Sequence, residues 1–322
     1  MRSSRRPTVR AGASRSPTSS TRNAGDDALS RGPRVVVFGG ASWNTMIRVE
    51  RFPSPEAATL FPTGWHEAVG SSGAGKAMNL ARLGVDVMLH CLIGADDAGR
   101  RVTAALEAAG VEVAAVPDAT GTARHVNVMD ATGGRQSFLL HTGAPGARFA
   151  TDRIETLVSS ADVVLVEIVD GARSVIPIAR RLGRPAWTDL HDTDGERAWE
   201  RDFLGADTIV FSDDRLVDPR PFMERLVAAG RRLVVCTRGV RGAAALTDSG
   251  QWLETAAERV DRIVDTNGAG DAFVAGLVFG ELRGLPIERS LRIAARVAAL
   301  AVGSLELASP DLSPAAVADL LS

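Results

Sequence analysis

The chain has 322 residues, 45% of them hydrophobic, which suits a globular protein with a substantial core. Its formal net charge of −2 gives no reason to expect nucleic acid or an anionic membrane as a partner. The two cysteines, Cys91 and Cys236, lie in apolar runs and are expected to be buried thiols in a reducing cytoplasm. No apolar segment approaches the ~20 residues that a membrane-spanning helix requires.

Residues 1–33 form a segment that is rich in Arg, Ser, Thr, Gly and Pro. Few apolar residues occur there, so a disordered tail is predicted. An Arg- and Ser-rich start also fits a transit peptide, but no amphipathic helix is evident in it. The remaining residues, 34–322, are expected to form one main domain.

From residue 34 onward, apolar runs of strand length alternate with helical patterns. Strands are predicted at 34–40, 86–94, 161–168, 185–190, 207–212 and 232–239. Helices are predicted at 78–85, 100–110, 174–183, 221–230, 269–284 and 288–304. Continuous Val, Ile and Leu strands separated by helices indicate an α/β fold whose mostly parallel sheet is covered on both faces.

Two segments, 45–69 and 120–142, interrupt this rhythm. They contain shorter alternating patterns, such as ARHVNVMD and RQSFLLH, which are typical of antiparallel strands with one solvent-facing side. We expect them to form a small β-sheet lid attached to the main sheet. Because exposed strand edges commonly need covering, a homodimer formed through this lid is a further expectation.

The stretch GSSGAGKA (70–77) almost matches a phosphate-binding P-loop, but alanine stands where serine or threonine should hold magnesium. Its Lys76 is the only lysine in the chain, since arginine supplies all other basic side chains. A compact ammonium and a guanidinium are not equivalent in a site, so this position is a functional candidate.

The string VDTNGAGDAFVAG (264–276) joins an apolar run to a predicted helix through a Gly-Ala-Gly turn. Backbone N–H groups in such a turn, together with the helix dipole, favour a phosphate or a developing negative charge. Asp271 at the helix start could accept a proton from an alcohol bound beside that site. A tight turn with an N-capping aspartate is the simpler interpretation, but it does not explain the whole string.

The DTNGAGD string at 265–271 resembles in full the C-terminal signature of the ribokinase, or PfkB, family of carbohydrate and nucleoside kinases. The resemblance extends over about 35–307 and implies a ribokinase-like, doubly wound sheet flanked by helices, with ATP and Mg²⁺ as cofactors. It implies that Asp271 is the catalytic base and that Asp265 lies at a monovalent-cation site. The turn that would hold the transferred phosphoryl group consists of Gly268, Ala269 and Gly270.

The same resemblance assigns nucleotide-binding residues near two strand ends. These are Ser212, Thr237, Arg238, Gly239 and Gly242. Where the family usually shows Asn-x-x-Glu, this chain has Ser-Asp-Asp-Arg at 212–215. The acid that orders magnesium-bound water is therefore Asp213 or Asp214, or it is absent. Glu167 occupies a position where family members keep a carboxylate near the substrate and magnesium.

Alignment with the family also reinterprets GSSGAGKA as a substrate loop rather than a P-loop. The family's Gly-Gly doublet falls on Gly70 and Ser71, its asparagine falls on Gly75, and the acid that grips sugar hydroxyls appears as Asn44. Asn79, one helical turn further on, could reach back into the pocket. Lys76 could pair with an anionic group on the substrate, or it could be a solvated helix residue.

The resulting prediction is an ATP-dependent kinase that phosphorylates a hydroxyl of a small sugar or sugar-like molecule. A nucleoside kinase and a catalytically weak regulatory member of the same fold remain alternatives. His191 lies beside Asp189, Asp192 and Asp194 and could suggest a metal site, but a polar loop after a strand explains this cluster more simply.

Overall fold

The computed structural model describes residues 32–54, 56–57 and 59–321, and almost all of the predicted tail at 1–33 lies outside these ranges. Within the described part, thirteen strands and seven α-helices are present. No helix in that part is long and apolar enough to cross a membrane. The fold is the predicted α/β arrangement, with a large, mostly parallel sheet and a second, smaller sheet.

The large sheet has the strand order β13-β12-β11-β10-β9-β8-β1-β4-β5. Its strands from β5 to β11 are parallel, and β12 and β13 are antiparallel additions at one edge. The bounds are β1 (Arg34–Phe38), β4 (Asp86–Gly94), β5 (Glu112–Asp118), β8 (Val163–Glu167), β9 (Ala186–Asp189), β10 (Thr208–Ser212), β11 (Leu233–Thr237), β12 (Ala243–Thr247) and β13 (Trp252–Thr255). Because β1 has β4 on one side and β8 on the other, the chain order reverses there, and ligands of such sheets bind at the strand ends beside this point.

Helices cover both faces of this sheet. One face carries α1 (Ser72–Arg82), α2 (Asp97–Ala108), α6 (Ala269–Leu282) and α7 (Ile287–Val302), and the other carries α3 (Thr151–Ser160), α4 (Val175–Arg181) and α5 (Arg220–Ala228). Two cores form because successive side chains of β1 point to opposite faces of the sheet. Val35 and Val37 belong to one core, and Val36 and Phe38 belong to the other. Side chains buried on both sides explain why the strands are continuous apolar runs.

The small sheet has the order β3-β2-β6-β7. Its strands are β2 (Ser42–Arg48), β3 (Gly64–Gly70), β6 (Ala123–Met129) and β7 (Arg135–His141). One face carries the buried side chains of Asn44, Met46 and Asn127, whereas the opposite face exposes Trp65 and Phe138. The predicted segments 45–69 and 120–142 supply these strands, except that β2 begins three residues earlier and β3 ends one residue later.

Some elements differ from the sequence-based prediction. Helix α1 begins at Ser72 rather than at 78. The glycines in its first turns are needed because other parts of the chain pack closely against them, and they do not form a loop. A Cβ on Gly73 would lie 2.7 Å from the carbonyl oxygen of Gly40. Strand β5 was not predicted, since it is a partly exposed edge strand that contains Pro117. Helix α3 and the strands β12 and β13 were also missed.

Candidate active site

Three carboxylates converge at the carboxyl ends of the central strands. Glu167 and Asp189 are the last residues of β8 and β9 and are paired in the register of these strands. Asp271 lies in the first turn of α6. The Lys76 ammonium sits between all three, with its Nζ 2.6 Å from Asp271 Oδ1, 3.0 Å from Glu167 Oε1 and 3.0 Å from Asp189 Oδ2.

Lys76 is 1% exposed, so its ammonium is removed from water. Such a charge is tolerated only when it is paired and hydrogen-bonded, and its three N–H donors match the three carboxylates. Burial lowers the pKa of the Lys76 ammonium, but Asp189, Asp271 and Glu167 together raise it well above its usual value. The expectation of a solvated helix residue is wrong, and no donor of the ammonium remains for a substrate anion.

His191 adds a second cation to this cluster. Its Nε2 lies 3.3 Å from Glu167 Oε2, and its Nδ1 lies 3.4 Å from Asp189 Oδ2. Burial lowers the pKa of the imidazole, but the two carboxylates raise it to about 9. The ring is therefore protonated at neutral pH. Sequence reasoning interpreted this stretch as an ordinary polar loop, yet it closes the cluster on the side of β9.

The Asp271 carboxyl is held between α1 and α6. Its residue is 9% exposed, and burial raises its pKa, which the Lys76 ammonium opposes. A Cβ on Gly75 would lie 2.7 Å from Asp271 Oδ2 and 3.0 Å from Asp271 Cβ. Gly75 therefore permits this close approach, and an asparagine at that position would collide with Asp271 as it stands.

The turn before Asp271 presents free backbone donors. Gly268 has φ +79°, and a Cβ there would lie 2.8 Å from Leu307 Cδ1, so the turn requires glycine at this position. Within the described ranges, no acceptor bonds the N–H of Gly268, Gly270 or Asp271, and the N–H of Ala269 makes only a long, 3.4 Å contact with Thr266 O. Unbonded N–H groups at a helix start favour an anion.

Asp265 lies just upstream and is 6% exposed. Burial raises the pKa of its carboxyl, while the Asn267 N–H at 2.8 Å and the nearby Arg48, His66 and Arg135 lower it. The small sheet touches this segment directly, because Thr266 Oγ1 donates to Gly133 O at 2.8 Å. Arg135 Nη1 also donates to Asn267 Oδ1 at 2.6 Å. The monovalent-cation role of Asp265 stays a prediction.

The residues of the predicted substrate loop have distinct environments. Asn44 is buried, and its Oδ1 has no hydrogen-bond partner in the part of the chain that the structure describes. A Cβ on Gly70 would overlap the Asn44 amide at 1.8 Å, so glycine is required there. Ser71 occupies the left-handed region at φ +77°. Asn79 Nδ2 donates to Gly75 O at 2.8 Å and to Leu307 O at 3.0 Å, so its donors serve packing rather than the pocket.

The predicted nucleotide residues cluster at the ends of β10 and β11. Ser212 and Thr237 pair in the strand register, and Arg238, Gly239 and Gly242 form the turn into β12. Gly242 has φ +83°, and a Cβ there would lie 1.9 Å from Thr255 O.

Of the two candidate magnesium acids in this region, Asp213 is ion-paired with Arg241 at 2.7 Å. Asp214 accepts a hydrogen bond from Ser212 Oγ at 2.9 Å. No group of three or more His, Cys, Asp or Glu side chains among the described residues is arranged to hold a metal ion.

The reversal of strand order in a mostly parallel sheet covered by helices on both faces, with a second, smaller sheet, defines a ribokinase-like α/β fold. The chain belongs to the pfkB family of carbohydrate kinases, whose model matches residues 33–175 and 219–314. It is therefore a phosphotransferase.

The chain is similar to several proteins that are named as kinases or phosphotransferases. It is 34% identical to the acarbose 7(IV)-phosphotransferase of Actinoplanes sp. over 276 residues, which cover 83% of this chain and 91% of the relative. It is 30% identical to the ATP-dependent ribose-1-phosphate kinase of Halopiger xanaduensis, with coverage of 84% and 92%. The solved structure of the microbiome-derived acarbose kinase Mak1 superposes with a TM-score of 0.82 at 29% identity, covering 91% of this chain and 99% of that one.

Proposed function

We propose that the protein transfers the terminal phosphoryl group of ATP to a hydroxyl of a small sugar or sugar-like acceptor, with Asp271 as the general base. One observation carries this proposal: a buried carboxylate lies in the same helical turn as N–H groups that have no acceptor within the described residues. Phosphoryl transfer to an alcohol needs a proton acceptor and a site for developing negative charge, and this turn supplies both.

In this proposal, different residues of the chain bind the nucleotide, stabilise the phosphoryl group and accept the proton. Asp271 accepts the hydroxyl proton, and the N–H groups of Gly268, Ala269 and Gly270 hold the charge of the moving phosphoryl group. The turn of Thr237, Arg238, Gly239 and Gly242, with Ser212, binds the nucleotide. Asp265 binds a monovalent cation that steadies the turn.

Magnesium bound with the nucleotide would supply positive charge that offsets the phosphates. The two candidate acids fit this role differently. The Asp213 charge is already compensated by Arg241, whereas Asp214 has only the Ser212 hydroxyl as a partner among the described residues. Asp214 is therefore the better candidate to order magnesium-bound water.

The acceptor side is formed by the small sheet and the loop before α1. Asn44 Oδ1 is a buried acceptor without a partner among the described residues, and such a group costs free energy until a donor reaches it. A sugar hydroxyl would supply that donor. Gly70 ends strand β3, Ser71 joins this strand to α1, and Glu167 at the end of β8 contacts Lys76 in that helix. The small sheet then acts as a lid that excludes water, which would compete as the acceptor.

The small sheet also supports the proposal of a homodimer. Its edge strand β7 is exposed along almost its whole length, including Phe138, Leu139 and Leu140. An exposed apolar edge strand is an aggregation hazard unless it is covered. A second copy of the chain, paired through the same sheet, would cover it.

The acceptor is best identified by substrate-dependent release of ADP. The panel contains acarbose, ribose, ribose 1-phosphate and adenosine, of which the first three are chosen from the relatives and the last tests a nucleoside kinase. We expect one sugar to stimulate ADP release, with product mass increased by one phosphoryl group. Asp271→Asn should lower this rate by ~10²–10⁴, the usual contribution of a general base.

A matched control is Asp248→Asn, which changes an exposed aspartate in the turn between β12 and β13, beside the amino end of β11 and therefore at the opposite edge of the large sheet. Its rate should equal that of the wild type. If Asp271→Asn retained the wild-type rate, the assignment of the base would be wrong. If the wild type bound sugar and ATP but released no ADP with any compound, the regulatory alternative would replace the kinase.

A further inference from the structure

We infer that Lys76 is a positioning residue for the reaction: its ammonium fixes Asp271 Oδ1 and keeps the carboxyl ionised, so that Oδ2 is free to take the acceptor proton. This inference rests on the proposed function, in which Asp271 is the base. The contact that supports it is the 2.6 Å hydrogen bond from Lys76 Nζ to Asp271 Oδ1. Asp271 Oδ2 has no hydrogen-bond or ion-pair partner among the described residues. Because Gly75 has no side chain, the space beside this oxygen is open.

The charges around the base show why this cation matters. From the elements that pack here, α1 contributes Lys76, β8 contributes Glu167, β9 contributes Asp189, its following loop contributes His191 and α6 contributes Asp271. Three carboxylates and two cations leave one negative charge. Without Lys76 the same volume would hold three carboxylates and a single imidazolium, and this imidazolium touches Glu167 and Asp189 rather than Asp271.

The chemical consequence is a change in the protonation of the base. A neighbouring cation at this distance commonly lowers the pKa of a carboxyl by 1–3 units, and burial without it acts in the opposite direction. In the absence of the ammonium, the pKa of Asp271 would rise further, and a larger fraction of the carboxyl would be protonated at neutral pH. A protonated carboxyl cannot accept the hydroxyl proton, so turnover would require a higher pH.

A purely structural role would give a different pattern. Lys76 also ties α1 to the ends of β8 and β9, so its loss must weaken folding in either case. Only the positioning role predicts that the loss of turnover depends on pH. Both roles require that Lys76 and Asp271 respond to one another's protonation in the intact protein, and the positioning role falls if they do not.

The first test uses the fact that this chain has a single lysine. Wild-type protein carrying a lysine-free tag and labelled with ¹⁵N-lysine should give one protein Nζ signal, which belongs to Lys76. We expect this signal to remain that of an ammonium to above pH 10 and to shift at the pH where Asp271 protonates. In Asp271→Asn this acidic step should be lost. A signal that titrates identically in both proteins would overturn the inference, and the measurement needs neither substrate nor turnover.

The second test compares pH profiles of turnover with the acceptor found in the panel. Lys76→Gln keeps similar length without charge and should lower kcat at least 10-fold at pH 7, with recovery towards pH 9 and KM within about 3-fold. Lys76→Arg, which keeps the charge, should turn over faster than Lys76→Gln at pH 7. Arg82→Gln is the control, because Arg82 lies on the same helix and pairs at the surface with Glu306.

If kcat in Lys76→Gln were lowered by the same factor at all pH values, the positioning role would be wrong and a structural role would remain. If Lys76→Gln does not fold, the ¹⁵N measurement on the wild type still decides whether Lys76 responds to the protonation of Asp271, without which the positioning role is wrong. Failure of the proposed function is distinguishable, because it would appear as an unaffected rate in Asp271→Asn regardless of the Lys76 signal.

Discussion

Replacing Gly75 by alanine tests how closely α1 must approach the base. The new Cβ would lie 2.7 Å from Asp271 Oδ2 and 3.0 and 3.1 Å from Asp271 Cβ and Cγ, which are shorter than normal contacts. Since the nearest atom ends a short side chain, the carboxyl can turn away, and the backbone need move only slightly. Overpacking of this kind costs about 1–3 kcal/mol, partly offset by the ~0.5–1 kcal/mol that alanine gains over glycine in a helix.

The expected signature is therefore a small loss of stability with a large loss of activity. We expect the free energy of unfolding in urea to fall by ~1 kcal/mol, and kcat to fall at least 10-fold because the base is displaced. Gly276→Ala in α6 is the informative contrast. Its Cβ would lie 2.8 Å from Ala294 Cα in α7, which is backbone and cannot turn away, so stability should fall more and kcat less.

One result for Gly75→Ala would refute this reasoning, and one further variant serves as its control. If Gly75→Ala kept wild-type kcat, the position of Asp271 would not limit the reaction, and the arrangement described for the base would be refuted. Gly303→Ala, whose Cβ would come no closer than 3.6 Å to any atom, should leave both quantities unchanged. A loss there would show that the assay responds to any change of glycine.

Two other predictions concern the histidine and the small sheet. Because the pKa of His191 is raised to about 9, its stabilisation is fully present below about 6.5 and is lost as the pH rises through 9. The difference in the free energy of unfolding between wild type and His191→Gln should therefore shrink between pH 6 and pH 10. The expected decrease is on the order of 1–3 kcal/mol, which allows for the one-third exposure of the ring to solvent. A difference that stays constant over this range would contradict the prediction. Phe138→Asp, on the exposed strand β7, should convert a dimer to a monomer in light scattering without unfolding it, whereas an unchanged mass would place the interface elsewhere.

The elements that sequence reasoning identified are those whose cause is local. Continuous apolar runs such as β1 and β4 were found because strands buried on both faces carry no polar alternation. The start of α6 was found because a glycine turn and an acid occur together in the chain. The predicted start of helix α1 was too late, because a glycine-rich stretch is typical of a loop. The residues that pack against these glycines, Gly40 and Asp271, become known only from the structure.

The residues of the candidate site also differ in whether the sequence around them indicates their place in it. Asp271 and its turn could be named from the sequence, since their chemistry lies within seven consecutive residues. Asp189 and His191 were noticed only as a polar loop after a strand, although a strand-final aspartate beside the strand of Glu167 was the available signal for their place in the site. To use that signal, one must know that β8 and β9 are adjacent, and strand order is a property of the whole sheet.

The sequence alone thus determined the family and the fold class, and it singled out Asp271 as the proposed base, because each of these depends on residues that are close together in the chain. The partners and the burial of Lys76 were decided only by tertiary structure. Its 195-residue separation from Asp271 carries no local pattern, and the ammonium acquires its partners only when α1, the strand ends and α6 are packed together.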